Sequence, residues 1–267
     1  MPVCITGMHR SGTSLVANLL RRCGLYLGEE DKLLPASPDN TDGYWEHRDF
    51  VSLNEDILLA LGSAWDRPSP AVMEGWPYEE RFNPSRIRAE VLLSKFADHE
   101  PWGWKDPRTS LTLPFWLSLD GILIPFWSGR GKKLKVVVCL RDPLEVFRSL
   151  RDRTFTPSSA GLDLWQTYNE KILESTSPQD RIITHYDSYF RDAASELARV
   201  LNFLRLEVSH ETVKETTRVV SSAMRHQNSS IAALREANVS SQVIDLYVAM
   251  CEEANHLHPL ESLTVAS

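Results

Sequence analysis

The chain has 267 residues, 42% of them hydrophobic, enough for one α/β domain with a sizeable buried core. A formal net charge of −7 excludes a generic grip on nucleic acid but leaves room for a local basic pocket. No apolar run reaches the roughly eighteen residues of a membrane span, and because the first strand is read as beginning at once, no signal peptide is expected.

Cys4, Cys23, Cys139 and Cys251 are far apart and form no C-x-x-C, so they read as core residues of a cytoplasmic protein.

In chain order, residues 3–6 predict a strand, 12–23 a helix, and Leu25-Tyr26-Leu27-Gly28 a short extended piece. Residues 29–43 are rich in proline, aspartate and glycine and read as a loop. A helix follows over 49–61. Residues 62–84 are irregular, an ordered excursion in which Trp65, Trp76, Tyr78 and Phe82 need something to pack on.

A helix over 85–98 precedes the strand WGWK at 102–105. Asp106-Pro107 and Asp142-Pro143 both carry a helix-start signature, aspartate as cap and proline in the first turn. LKVVVCL at 134–140 is a continuous, mostly β-branched run and predicts a fully buried strand. Helices over 143–151 and 161–174, a strand over 181–186 and a helix over 188–204 complete a core of about residues 1–206. Residues 207–267 read as mostly helical and more polar.

Strands alternating with helices imply a central parallel sheet flanked on both faces, a three-layer α/β sandwich forming a single domain. Ligands of such sheets bind beyond the carboxyl ends of the strands. The loop 7–12, Lys105-Asp106 and Arg141-Asp142 each follow a strand, so they are expected to converge on one edge.

The loop GMHRSGTS has the glycine spacing of the phosphate-binding pattern G-x-x-x-x-G-K-[ST], with Gly7, Gly12 and Ser14 in place and Thr13 in the lysine slot. Backbone N–H groups at a helix start cradle an anion without that lysine, and Arg10 is the nearest replacement cation. A second element, LRDPLEVFRSL, sets Arg141 at a strand end and Ser149 on the following helix. From Pro143 to Ser149 the rise is about 9 Å, within reach of one phosphate beside the helix.

Together, in this order and strand context, the two motifs resemble those of sulfotransferases that use 3′-phosphoadenosine 5′-phosphosulfate. The resemblance covers roughly residues 1–206 and implies the phosphate-binding-loop type of sulfotransferase fold. It implies that His9, Arg10, Ser11, Gly12, Thr13 and Ser14 hold the 5′-phosphosulfate, and that Arg141 and Ser149 hold the 3′-phosphate. It implies no metal. The small-molecule branch of the family has a histidine base shortly after a lysine, and none stands near Lys105. The carbohydrate and protein-tyrosine branches place a glutamate after the first helix, and the segment DGYWEHRDF puts Glu46 there.

Lys105 would then lie against the transferring group, Arg10 would support the leaving phosphate, and Asp106 would be the reserve base. Tyr44, Trp45 and His47 are the implied substrate contacts. The acceptor would be a carbohydrate, lipid or other small hydroxyl compound; neither its identity nor the oligomeric state is readable.

Two other readings stay open: a kinase or NTPase with an atypical loop, and a nucleotide-binding module that transfers nothing. Plainer roles also stand beside these, with Asp142 as a helix cap and His47, His185 and His226 as structural histidines.

Overall fold

A computed structural model describes residues 2–37, 40, 43–69, 73–119, 133–154, 158–221 and 230–256. Four strands, β1 (Pro2–Thr6), β2 (Trp102–Lys105), β3 (Lys135–Leu140) and β4 (Arg181–His185), form one sheet in the order β2-β1-β3-β4. Every pairing is parallel. The stretch around Tyr26 lies along the β2 edge: its N–H donates to Pro101 O (2.9 Å), and its carbonyl accepts from Gly103 N (2.9 Å).

Strand residues alternate between two buried faces, as the pleat requires. On one face Cys4, Val136, Val138, Leu140 and Ile183 join a core built with α2 (Arg48–Ala60), α3 (Asn83–Ala97), α4 (Thr109–Ser118), α5 (Pro143–Thr154) and α6 (Ser158–Ser175). On the other, Val3, Ile5, Val137 and Cys139 pack with α1 (Thr13–Arg22), α7 (Ser188–Leu204) and α8 (His210–Thr217). Both faces are therefore dry, which is why the strands read as unbroken apolar runs. The expected three-layer α/β arrangement is found.

After α8 come α9 (Ile231–Glu236) and α10 (Ser241–Glu253). This part is less peripheral than its polar sequence suggests: Leu234, Val239, Val243, Tyr247, Met250 and Cys251 belong to the first core. Two further expectations need correction. Tyr78 is 72% exposed, whereas Trp76 and Phe82 are buried and pack edge-on against each other. And α4 starts at Thr109, not directly after Asp106. Asp106 instead caps the preceding turn, its Oδ1 accepting from Arg108 N at 2.9 Å.

Among the described residues, no helix is long and apolar enough to cross a membrane. His226 lies outside those residues.

Candidate active site

The loop after β1 is shaped by two close approaches. A Cβ on Gly7 (φ 133°) would sit 2.3 Å from the Cys139 carbonyl oxygen, and one on Gly12 (φ 86°) 2.4 Å from the Tyr186 ring. Only glycine fits at either place without rearrangement. Between them Ser11 N–H donates to Met8 O (3.1 Å), and Arg10 adopts a left-handed φ of 70°. Ser11 and Thr13 are buried. No side chain caps α1, so its first-turn amides face the loop with the positive end of the helix dipole.

The ammonium missing from the loop arrives from β2. Lys105 Nζ, on a side chain only 2% exposed, donates to Glu46 Oε1 (2.8 Å), Tyr44 O (3.0 Å) and Ser14 Oγ (3.3 Å). Its three N–H donors thus have three acceptors. Ser14 Oγ also receives Asn40 Nδ2 at 3.2 Å. Strand β2, helix α1 and the 43–47 segment are tied together at this one buried ion pair.

A second cationic centre forms where β3 ends. Arg141 Nε donates to Glu145 Oε2 (2.9 Å), one turn along α5, and Nη1 to Arg10 O (3.2 Å). Its Nη2 has no hydrogen-bond partner among the described residues. The guanidinium lies over the Tyr186 ring, 4.4 Å from its centroid, a cation–π contact. Arg10 turns its own guanidinium this way, donating from Nε to Ser149 Oγ at 2.9 Å. Arg10 is thereby grouped with Arg141 and Ser149, although 131 positions separate it from Arg141. Burial pushes the Glu145 carboxyl up from its ordinary range, against the downward pull of Arg141.

The remaining predicted residues divide. Tyr44 touches the first centre through its carbonyl, while its hydroxyl bonds Ser37 Oγ at 2.6 Å. His9 packs against Trp65 (4.6 Å between centroids) and Tyr168 (5.9 Å). Trp45 lies under the Arg21 guanidinium. His47 is 5% exposed, accepts Asp49 N–H as the N-cap of α2, and packs edge-on to Phe50 and Phe96. The rings of Trp45 and His47 are thus engaged in packing rather than gathered around Lys105. Burial also lowers the His47 pKa.

Asp106 is fully buried, and its oxygens accept from Asn54 Nδ2 (2.8 Å), Arg108 N and Arg108 Nη1. A carboxylate so occupied is a poor reserve base.

Four contributors escaped the sequence reading: Glu145, Tyr186, Asn40 and Trp165, whose indole N–H donates to Arg141 O (3.1 Å). Tyr186 had a usable signal, because it follows β4 on the same edge as the other strand ends.

One group of metal-ligating residue types stands out among the described residues. His185, Asp187 and His256 have donor atoms within 4.8 Å of one another. Hydrogen bonds engage all four ring nitrogens, and the Arg191 guanidinium lies 3.4 Å from His256 Nε2, where it opposes a cation. The group is a hydrogen-bonded joint.

No protein-family model matches the chain, and no curated protein does. Similar solved structures include the sulfotransferase domain from the curacin biosynthetic pathway, at 11% identity over 97% of this chain and 99% of that one (TM-score 0.49). The sulfotransferase domain from the Synechococcus PCC 7002 olefin synthase is similar at 17% identity over 94% of each chain (TM-score 0.49). A third is retinol dehydratase, solved with androsterone and the inactive cofactor PAP, at 12% identity over 97% and 82% (TM-score 0.45). At such identities and TM-scores, the functional reading rests on the geometry of the site itself.

Proposed function

We propose that the chain is a sulfotransferase, moving a sulfuryl group from 3′-phosphoadenosine 5′-phosphosulfate to a hydroxyl of a carbohydrate, lipid or other small acceptor. The observation that carries this reading is the pair of separate cationic centres on one sheet edge, Lys105 with Ser14 and Arg141 with Ser149 and Arg10. A nucleoside triphosphate carries its charge on one phosphate chain and needs one such centre; a nucleotide with a distinct 3′-phosphate needs two.

The donor set fits. Arg141 keeps Nη2 for a phosphate oxygen, and a planar guanidinium suits that anion. Ser149 adds a hydroxyl and Arg10 a second cation. The 9–14 run offers backbone N–H groups at a helix start, with the Ser14 hydroxyl beside them. Bound here, the phosphosulfate supplies an activated sulfuryl group for in-line transfer. Lys105 stabilises negative charge at the reacting end, and Glu46 takes the acceptor hydroxyl's proton. The Lys105 contact at 2.8 Å keeps the Glu46 carboxylate oriented.

Free thiols at Cys4, Cys23, Cys139 and Cys251 support a reducing, cytoplasmic setting. The reading is tested by incubating the protein with sulfate-labelled donor and panels of sugar, lipid and phenolic hydroxyl compounds. Label transferred to an acceptor class without added metal is the expected result. Donor untouched across the panels, with ATP turned over instead, overturns it.

A further inference from the structure

Every donor of the Lys105 centre is engaged by the protein itself. Lys105 Nζ has its three acceptors, one of them the Tyr44 carbonyl (3.0 Å). Ser14 Oγ accepts from Lys105 (3.3 Å) and from Asn40 Nδ2 (3.2 Å). Its single proton therefore goes to the Tyr44 carbonyl too, at 3.4 Å. The meeting point of these donors is thus taken by a carbonyl oxygen, which repels any sulfuryl or phosphoryl oxygen brought to it.

The residue after that carbonyl is held in an unfavourable conformation. Trp45 has φ 61°, in the left-handed region where a bulky side chain is an outlier. Such residues persist only where their surroundings over-determine them, and they cluster at functional sites. The Trp45 indole Nε1 is buried with no hydrogen-bond partner, and its backbone N–H donates to no described residue. The restraint acts from both sides. Lys105 binds the Tyr44 carbonyl before Trp45 and the Glu46 carboxylate (2.8 Å) after it. The Glu46 carbonyl is fixed in turn by Leu34 N–H (2.8 Å), and the Trp45 ring lies 4.9 Å under the Arg21 guanidinium.

A half-turn of the Tyr44–Trp45 peptide about its two flanking bonds changes this centre at once. It requires no displacement of the Trp45 ring or of Glu46. The φ of Trp45 passes into the negative range open to every L residue. The Tyr44 carbonyl leaves Lys105 and Ser14, which regain one N–H and one O–H. The Trp45 N–H takes the direction that the carbonyl held.

We propose that this peptide turns over as the transferring group enters, and that the Trp45 N–H then donates to that group beside Lys105 Nζ and Ser14 Oγ. One rotation replaces a repelling carbonyl by converging donors where negative charge gathers. Glu46 keeps its Lys105 contact throughout, so the base stays placed. The proposal rests on the reading of this centre as the sulfuryl end of the nucleotide site.

Calorimetry with 3′-phosphoadenosine 5′-phosphosulfate, in the absence of an acceptor, compares Trp45→Ala with Trp45→Gly. Both variants lose the indole, and they differ by one Cβ. That Cβ is unfavourable in the left-handed region, so alanine gains from the rotation and glycine does not. Trp45→Gly is expected to bind about five- to thirtyfold more weakly than Trp45→Ala. Equal affinities overturn the rotation, because the unfolded chain does not enter a comparison of binding.

If either variant fails to fold, hydrogen exchange at the wild-type Trp45 amide decides. With the nucleotide, that amide is expected to gain at least about tenfold more protection than the Leu34 amide, which is already bonded. An equal or smaller gain overturns the proposal. If the wild type takes ATP and not the phosphosulfate, the functional reading fails, and the same comparison made with ATP still decides the rotation. Binding of neither nucleotide overturns both.

Discussion

Lys105 and Arg141 both stand at the carboxyl end of a strand on the same edge of the sheet, yet their surroundings differ in kind. Lys105 is saturated: three acceptors, one of them the buried Glu46 carboxylate, take its three donors. Arg141 is held by an aromatic face, one carboxylate and one carbonyl, and keeps Nη2. A saturated cation fixes geometry and orients its partner. A cation with a spare donor is built to receive an anion. The contrast suits a division of labour in which one centre performs the chemistry and the other identifies the nucleotide.

The comparison can be broken by separating the two centres. Glu46→Gln keeps the shape of the first and removes its proton acceptor. Turnover is expected to drop by about 10²–10⁴, the usual range for a general base, while bisphosphate affinity stays within about threefold. Turnover near wild type with any active acceptor removes Glu46 from the base role. Lys105→Ala leaves Glu46 buried without its counter-charge and is expected to cost about 3–5 kcal/mol of folding stability, read from urea unfolding. A cost below about 1 kcal/mol would mean that water already reaches the pair. Arg141→Ala acts on the other centre and is expected to weaken bisphosphate binding by about 1.5–3 kcal/mol. Unchanged affinity would leave the second centre without its assigned ligand.

How much of this was legible depended on the range of the interaction. The strands were readable because both faces of the sheet are buried, which writes itself as continuous runs such as Val136-Val137-Val138. The Asp142 cap was readable because its partners, Leu144 N and Glu145 N, are two and three residues on. The same signature misled at Asp106, where Arg108 and Asn54 occupy the carboxylate and the helix starts later. The Lys105–Glu46 contact spans 59 positions; no local pattern encodes it, and family resemblance alone suggested the pair.

Tyr186 and the C-terminal segment were missed for another reason. Their contributions are packing against Arg141 and His185, and the charged outer face of α10 masks the apolar side that carries Tyr247.

The central claim, two anion sites for one nucleotide, is tested most directly by calorimetric titration with adenosine 3′,5′-bisphosphate, ADP and ATP, each with and without magnesium. The account predicts that the bisphosphate binds without metal and more tightly than ADP, by about the energy of a charge-assisted hydrogen bond or more. Preference for ATP with magnesium would contradict it.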